Sequence, residues 1–206
     1  MITKLCSKQI HMAYEFLESA IKQFEYYKLL AEKSFAQVKD DQLFWQYNED
    51  SNSIAVIVKH LSGNMKSRWT DFLTTDGEKE WRQRDAEFEN DISSRTEMLK
   101  QWNEGWDCLF TALRSLQEED LGKMVYIRNM GQTVTEAINR QLAHYPYHVG
   151  QIVYIARMAA KEWKSLSIPK GTSDNYNKEK FAQPKQKKHF TDEYIKPHDM
   201  QHPPEA

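Results

Sequence analysis

Apolar side chains recur along this chain at alternating steps of three and four, the spacing that gathers them on one face of an α-helix. Four stretches carry the pattern. From about residue 7 to 36, Ile10, Tyr14, Leu17, Ile21 and Phe24 form one stripe. Asp40 and Asp41 break it, and residues 48–52 read as a polar loop. The second stretch opens at an N-cap among residues 51–53 and continues through Ile54, Ile57, Leu61, Met65, Arg68 and Phe72. Asp76-Gly77 is a turn signal that closes it. The third has the cleanest repeat: Leu99, Trp102, Trp106, Leu109, Leu113 and Leu116, with Ser93 or Ser94 as its cap. The fourth starts at Thr133, where Thr133-x-x-Glu136 is a capping box. Val134, Ile138, Leu142, Tyr145, Val149, Ile152 and Ala156 then form a stripe to about Trp163.

Such seams pack at small crossing angles, and four of them predict an all-α protein, a four-helix bundle. Residues 78–93 are polar and weakly periodic and read as a long crossover connection. Residues 123–130 suggest a short extended piece ending at Gly131. Pro169, Lys170 and Gly171 stop the last helix, which sets the expected bundle at residues 1–168 and an extended segment at 169–206. Four prolines and few apolar residues in 184–206 predict disorder from about 184 on.

Composition narrows the function classes. The net charge of −2 leaves no basic footprint for nucleic acid. No apolar run approaches the roughly 18–20 residues of a membrane span. The N-terminal residues lack the apolar region of a signal peptide. Cys6 and Cys108 form no CxxC pair, so reduced thiols in a cytoplasmic protein are expected.

The candidate chemistry lies on two helices. His144 and His148 are spaced i, i+4, which places them side by side on one face. His60 is the other histidine inside a strongly periodic stretch, and facing helices of a bundle can converge on one metal. Three imidazoles suit Zn, Ni, Cu or Fe and leave a coordination position open, the mark of a catalytic rather than a structural centre. The same histidines also suit plain internal polar packing. Asn64, Arg140, Gln141 and Gln151 lie within a turn of them and are the pocket-lining candidates, Arg140 as a receiver for an anionic substrate or as a solvated charge. No carboxylate lies within a turn of any of the three, so an HExxH-type base is missing and any proton transfer falls to the metal-bound group or to a distant residue such as Glu87 or Asp85. Pro146, between the two histidines, bends the helix or is a tolerated kink; Gly150 permits close helix approach or is a tolerated glycine. His11 is a further ligand or an exposed residue, and His189, His198 and His202 read as solvated. Cys108 reads as a small packed residue.

His60 within IVKHLSGNMKSRW and the pair within HYPYHVGQIVYIAR resemble the DinB-like superfamily of metal-binding four-helix bundles, in a bacterial branch without a known activity. DGEKEWRQRDAEFE, GQTVTEAINRQLAH and LSIPKG belong to the same resemblance, which covers about residues 10–183. It implies nickel, zinc or a similar ion on His60, His144 and His148. It also implies a homodimer and a transferase chemistry that uses a low-molecular-weight thiol. No local motif marks the thiol pocket. Three expectations follow: a metal-dependent thiol S-transferase acting on electrophiles, a non-catalytic dimerising or stress-response binding protein, or a metal-dependent hydrolase.

Overall fold

The computed structural model describes the backbone of residues 2–195 and the side chains of residues 15–195. In chain order the elements are α1 (Ile2–Phe35), the short α2 (Asp40–Leu43), α3 (Ile54–Trp69), α4 (Arg95–Ser115), β1 (Met124–Ile127), β2 (Met130–Thr133), α5 (Val134–Ala159) and α6 (Ser173–Phe181), with single 3-10 turns at Asp85–Phe88, Glu118–Asp120 and Phe190–Glu193. The protein is mostly helical, and its only described sheet is one antiparallel hairpin. No described helix is long and apolar enough to cross a membrane.

The helix starts follow from capping chemistry. The Ser53, Ser94 and Thr133 hydroxyls accept from the backbone N–H groups of Val56, Glu97 and Glu136, and Glu136 returns a bond to Thr133 N. Helix α3 ends at Trp69, earlier than the apolar spacing suggests, because Thr70 is extended and Asp71 is left-handed at φ 48°. Phe72 is nevertheless buried, packed edge-on against Trp69 from the loop. Helix α5 runs unbroken through Pro146.

Helix α1 packs mainly on α5 and α3 mainly on α4, while α3 also touches α5. The centre is aromatic: Phe24, Trp106 and Tyr145, from α1, α4 and α5, meet with ring centroids 5.8–6.4 Å apart. Helices α3 and α4 approach closely because Gly105 has no side chain; a Cβ there would stand 2.8 Å from Ser62 Cα. Gly150, by contrast, is exposed and faces open space, so no described element uses it for a close approach.

The extended piece expected before Thr133 is a two-stranded hairpin turned by Arg128 and Asn129, both at positive φ. That conformation fits a two-residue hairpin turn but is unfavourable for Arg. Asp76 compensates by accepting from the backbone N–H groups of Arg128, Asn129 and Glu78 at 2.7–2.9 Å. Desolvation works to raise its carboxyl pKa, but the three N–H donors, with Arg68 nearby, hold it below the ordinary range. A group depressed in the folded state stabilises above its unfolded pKa and loses that contribution as pH falls through the folded value. Asp76→Asn is therefore expected to cost about 1–2 kcal/mol at pH 7. The deficit should begin to shrink below about pH 4, where the unfolded chain's carboxyl protonates, and disappear as pH falls through the lower folded value. Thermal melts of both proteins at pH 7 and pH 3 check this.

The sequence leaves the tail without a core of its own, and the structure lays residues 189–194 against α1. Thr191 is fully buried, Phe190 and Tyr194 pack on Tyr26, and the His189 ring bonds to the Ser19 hydroxyl at 3.0 Å. His189 is thus partnered rather than solvated, because α1 presents aromatic and hydroxyl partners that periodicity does not reveal. Residues 196–206, including His198 and His202, lie outside the described residues, as do the side chains of Cys6 and His11.

Candidate metal centre

Helix α3 carries His60, and α5 carries His144 and His148; their packing brings the three rings together. One ring nitrogen of each lies within 4.8 Å of the others. His144 Nε2 and His148 Nε2 are 3.1 Å apart. Two nitrogens on one tetrahedral ion, each bonded at 2.0–2.1 Å, stand about 3.4 Å apart. The α5 pair already meets that spacing. His60, which accounts for the wider separations of up to 4.8 Å, must close in by up to about 1.4 Å to complete a tetrahedral face.

The outer nitrogens decide what the inner ones offer. His144 Nδ1 faces Gln141 Oε1 at 3.1 Å, His148 Nδ1 faces Gln151 Oε1 at 2.8 Å, and His60 Nδ1 faces Glu87 Oε2 at 2.9 Å. In a neutral ring, an oxygen acceptor on Nδ1 favours the tautomer with the proton there and the Nε2 lone pair free. Burial is the main force that pushes His144 down to about 3, with His148, His60, Arg140 and Arg68 adding to it. Burial also lowers His148, against an opposing bond from Gln151. Both rings are therefore neutral near pH 7, the form that ligates metal. Two Nε2 atoms facing each other at 3.1 Å suit either a shared proton or a bridging cation.

The pocket candidates divide. Gln141 and Gln151 hold the histidines rather than an open space. Asn64 is buried, and its Oδ1 accepts from the Tyr145 hydroxyl at 3.1 Å, which in turn accepts from Trp69 Nε1 at 3.0 Å. Burial raises the Tyr145 pKa, so the relay stays neutral. Arg140 is exposed and close enough to act on His144, with no hydrogen bond or ion pair to any described residue. Cys108 is a half-buried free thiol 3.5 Å from the Thr70 hydroxyl.

Of the two distant carboxylates, Asp85 is fully exposed. Glu87 is buried beside His60, so a carboxylate does stand at the site although none is near in sequence. Desolvation disfavours its charge. The bond to His60 and the bonds and charge of Arg82 outweigh that and keep its pKa below the usual range. Arg82 grips it twice, Nε to Oε1 at 2.7 Å and Nη2 to Oε2 at 2.9 Å. Beyond Arg82, Glu78 also pairs with Arg68 and Arg128, each at 3.1 Å. Phe88 stacks on the His60 ring at 5.0 Å, and Arg84 lies over Phe88.

Arg82 and Gly63 have no place in the sequence reading. The available signal was an isolated glycine inside a helical pattern, three residues after His60.

These features define the class: a mostly helical protein in which one buried and two partly buried histidines from two helices come together, each ring facing its own oxygen acceptor. A family model described as protein of unknown function (DUF1572) matches residues 11–172, and the chain belongs to that family. No curated protein and no solved structure matches the chain.

Proposed function

We propose that the protein is a metal-dependent enzyme of the DinB-like four-helix-bundle type, with His60, His144 and His148 as ligands of one divalent transition ion and a low-molecular-weight thiol as co-substrate. The observation that carries the reading is the gathering of one ring nitrogen from each of His60, His144 and His148 within 4.8 Å of one another, with an oxygen acceptor on each Nδ1. An ion held there supplies Lewis acidity and lowers the pKa of a coordinated thiol or water. The chain's own residues do the rest. Gln141, Gln151 and Glu87 fix ring orientation, and Phe88 covers one face of His60 and keeps water from it. Arg140, unpaired and next to His144, suits an anionic group on the thiol or its acceptor.

Thiol transfer is favoured over hydrolysis because no described side chain is placed as a general base. Glu87, the nearest carboxylate, has both oxygens engaged by Arg82 and His60. Its position on the outer nitrogen of His60 also puts that ring between it and the open side.

The test is a fluorogenic assay of thiol addition to a bimane electrophile, with glutathione, bacillithiol and mycothiol supplied in turn. Metal-loaded protein is expected to accelerate the reaction with one of these thiols. His144→Gln and chelator treatment should both return it to background. Background rates with every thiol, from protein shown to contain metal, would contradict the transferase reading.

A further inference from the structure

We infer that Glu87 is the positioning residue of this centre, and that it sets through His60 how tightly the ion is held. The inference rests on the metal-centre reading above.

The three ligands are not oriented in the same way. His144 and His148 are held by glutamines three residues away on their own helix, neutral partners present wherever α5 is formed. His60 is held by a carboxylate from the connection between α3 and α4, which is irregular apart from the turn at Asp85–Phe88. A carboxylate on Nδ1–H makes the opposite nitrogen a stronger donor than an amide does, and such partners commonly change metal affinity by roughly 10–100-fold. His60 is also the ring that must close in for tetrahedral ligation, so its orientation limits the whole site.

Two residues keep Glu87 in place. Arg82 takes both oxygens in a bidentate grip, so the carboxylate remains an acceptor for His60. Gly63 provides the room: a Cβ at that position would stand 2.3 Å from Glu87 Oε1 and 2.7 Å from its Cδ. Glycine is disfavoured within a helix, and here the missing side chain is the space the carboxylate fills. Gly63 lies on the same helix as His60, so the helix that presents the ligand also carries the seat of its orienting group.

The experiment is Co(II) titration of the full-length chain, followed by visible absorption, with Zn(II) competition giving affinities. Unmodified protein is compared with Gly63→Ala, Glu87→Gln and His60→Ala, at a temperature where circular dichroism shows each folded. Gly63→Ala leaves every ligand and every charge in place and introduces a better helix former. It is expected to weaken binding by roughly 10–100-fold. Glu87→Gln should weaken binding to a similar degree and change the shape of the Co(II) absorption, which reports coordination geometry. A Glu87 that merely supports the fold would leave that spectrum unchanged. If Gly63→Ala does not fold, Glu87→Gln decides alone. Binding by folded Gly63→Ala and Glu87→Gln within twofold of the unmodified chain, with His60→Ala unable to bind, overturns this inference and leaves the metal reading standing. No uptake by the unmodified chain overturns both.

Discussion

Arg82→Met is expected to destabilise the folded protein by about 3 kcal/mol. Its side chain is almost fully buried, and it is the bidentate partner of a buried carboxylate. Removing one member of such a pair leaves the other as an uncompensated charge in a poorly solvating place, which typically costs 3–5 kcal/mol. The lower end applies because Glu87 keeps its bond to His60, and Arg82 Nη1 is within hydrogen-bond distance of no partner and meets Glu78 only at 3.7 Å. Replacing both members together should recover most of the loss, since a buried pair exchanged for neutral side chains is often close to neutral. Urea denaturation of Arg82→Met, Glu87→Gln and the double variant forms the cycle. A loss below about 0.5 kcal/mol in Arg82→Met would mean that water reaches Glu87 and that the pair is an ordinary surface contact.

His148→Ala is expected to lower zinc or nickel affinity by more than the roughly 10–100-fold associated with losing a partner of a ligand, because a ligand itself is lost. The metal-free protein should keep its stability. His148 is only partly buried, its charged form is disfavoured there by burial, and its Nε2 faces that of His144. Removing it leaves the aromatic core of Phe24, Trp106 and Tyr145 untouched. A histidine serving internal polar packing would behave the other way, with a lower melting temperature and unchanged metal content. Competition against a chromophoric chelator, alongside melts of the metal-free proteins, separates the two.

Much of this arrangement is legible in the chain because helices announce themselves locally. The stripe from Leu99 to Leu116 and the capping box at Thr133 need only neighbouring residues, and His144 and His148 share a face by spacing alone. His60 is legible as a candidate because it stands in a strongly periodic stretch. The remainder depends on long-range packing. Glu87 lies in a polar connection with no period, and its seat is made by Gly63, 24 positions earlier, and by Arg82. The hairpin turn at Arg128 and Asn129 lacks the glycine that would mark it, and its support comes from Asp76, about fifty positions away. The tail has no apolar pattern of its own and finds its partners on α1.

The central claim is that three histidines from two helices hold one ion. Metal analysis of the full-length protein after dialysis against a divalent transition metal tests it most directly. The account predicts about one ion per chain, retained through gel filtration and absent from His60→Ala and His148→Ala. Fully folded protein that retains no metal, or that retains as much in the two variants, would contradict it.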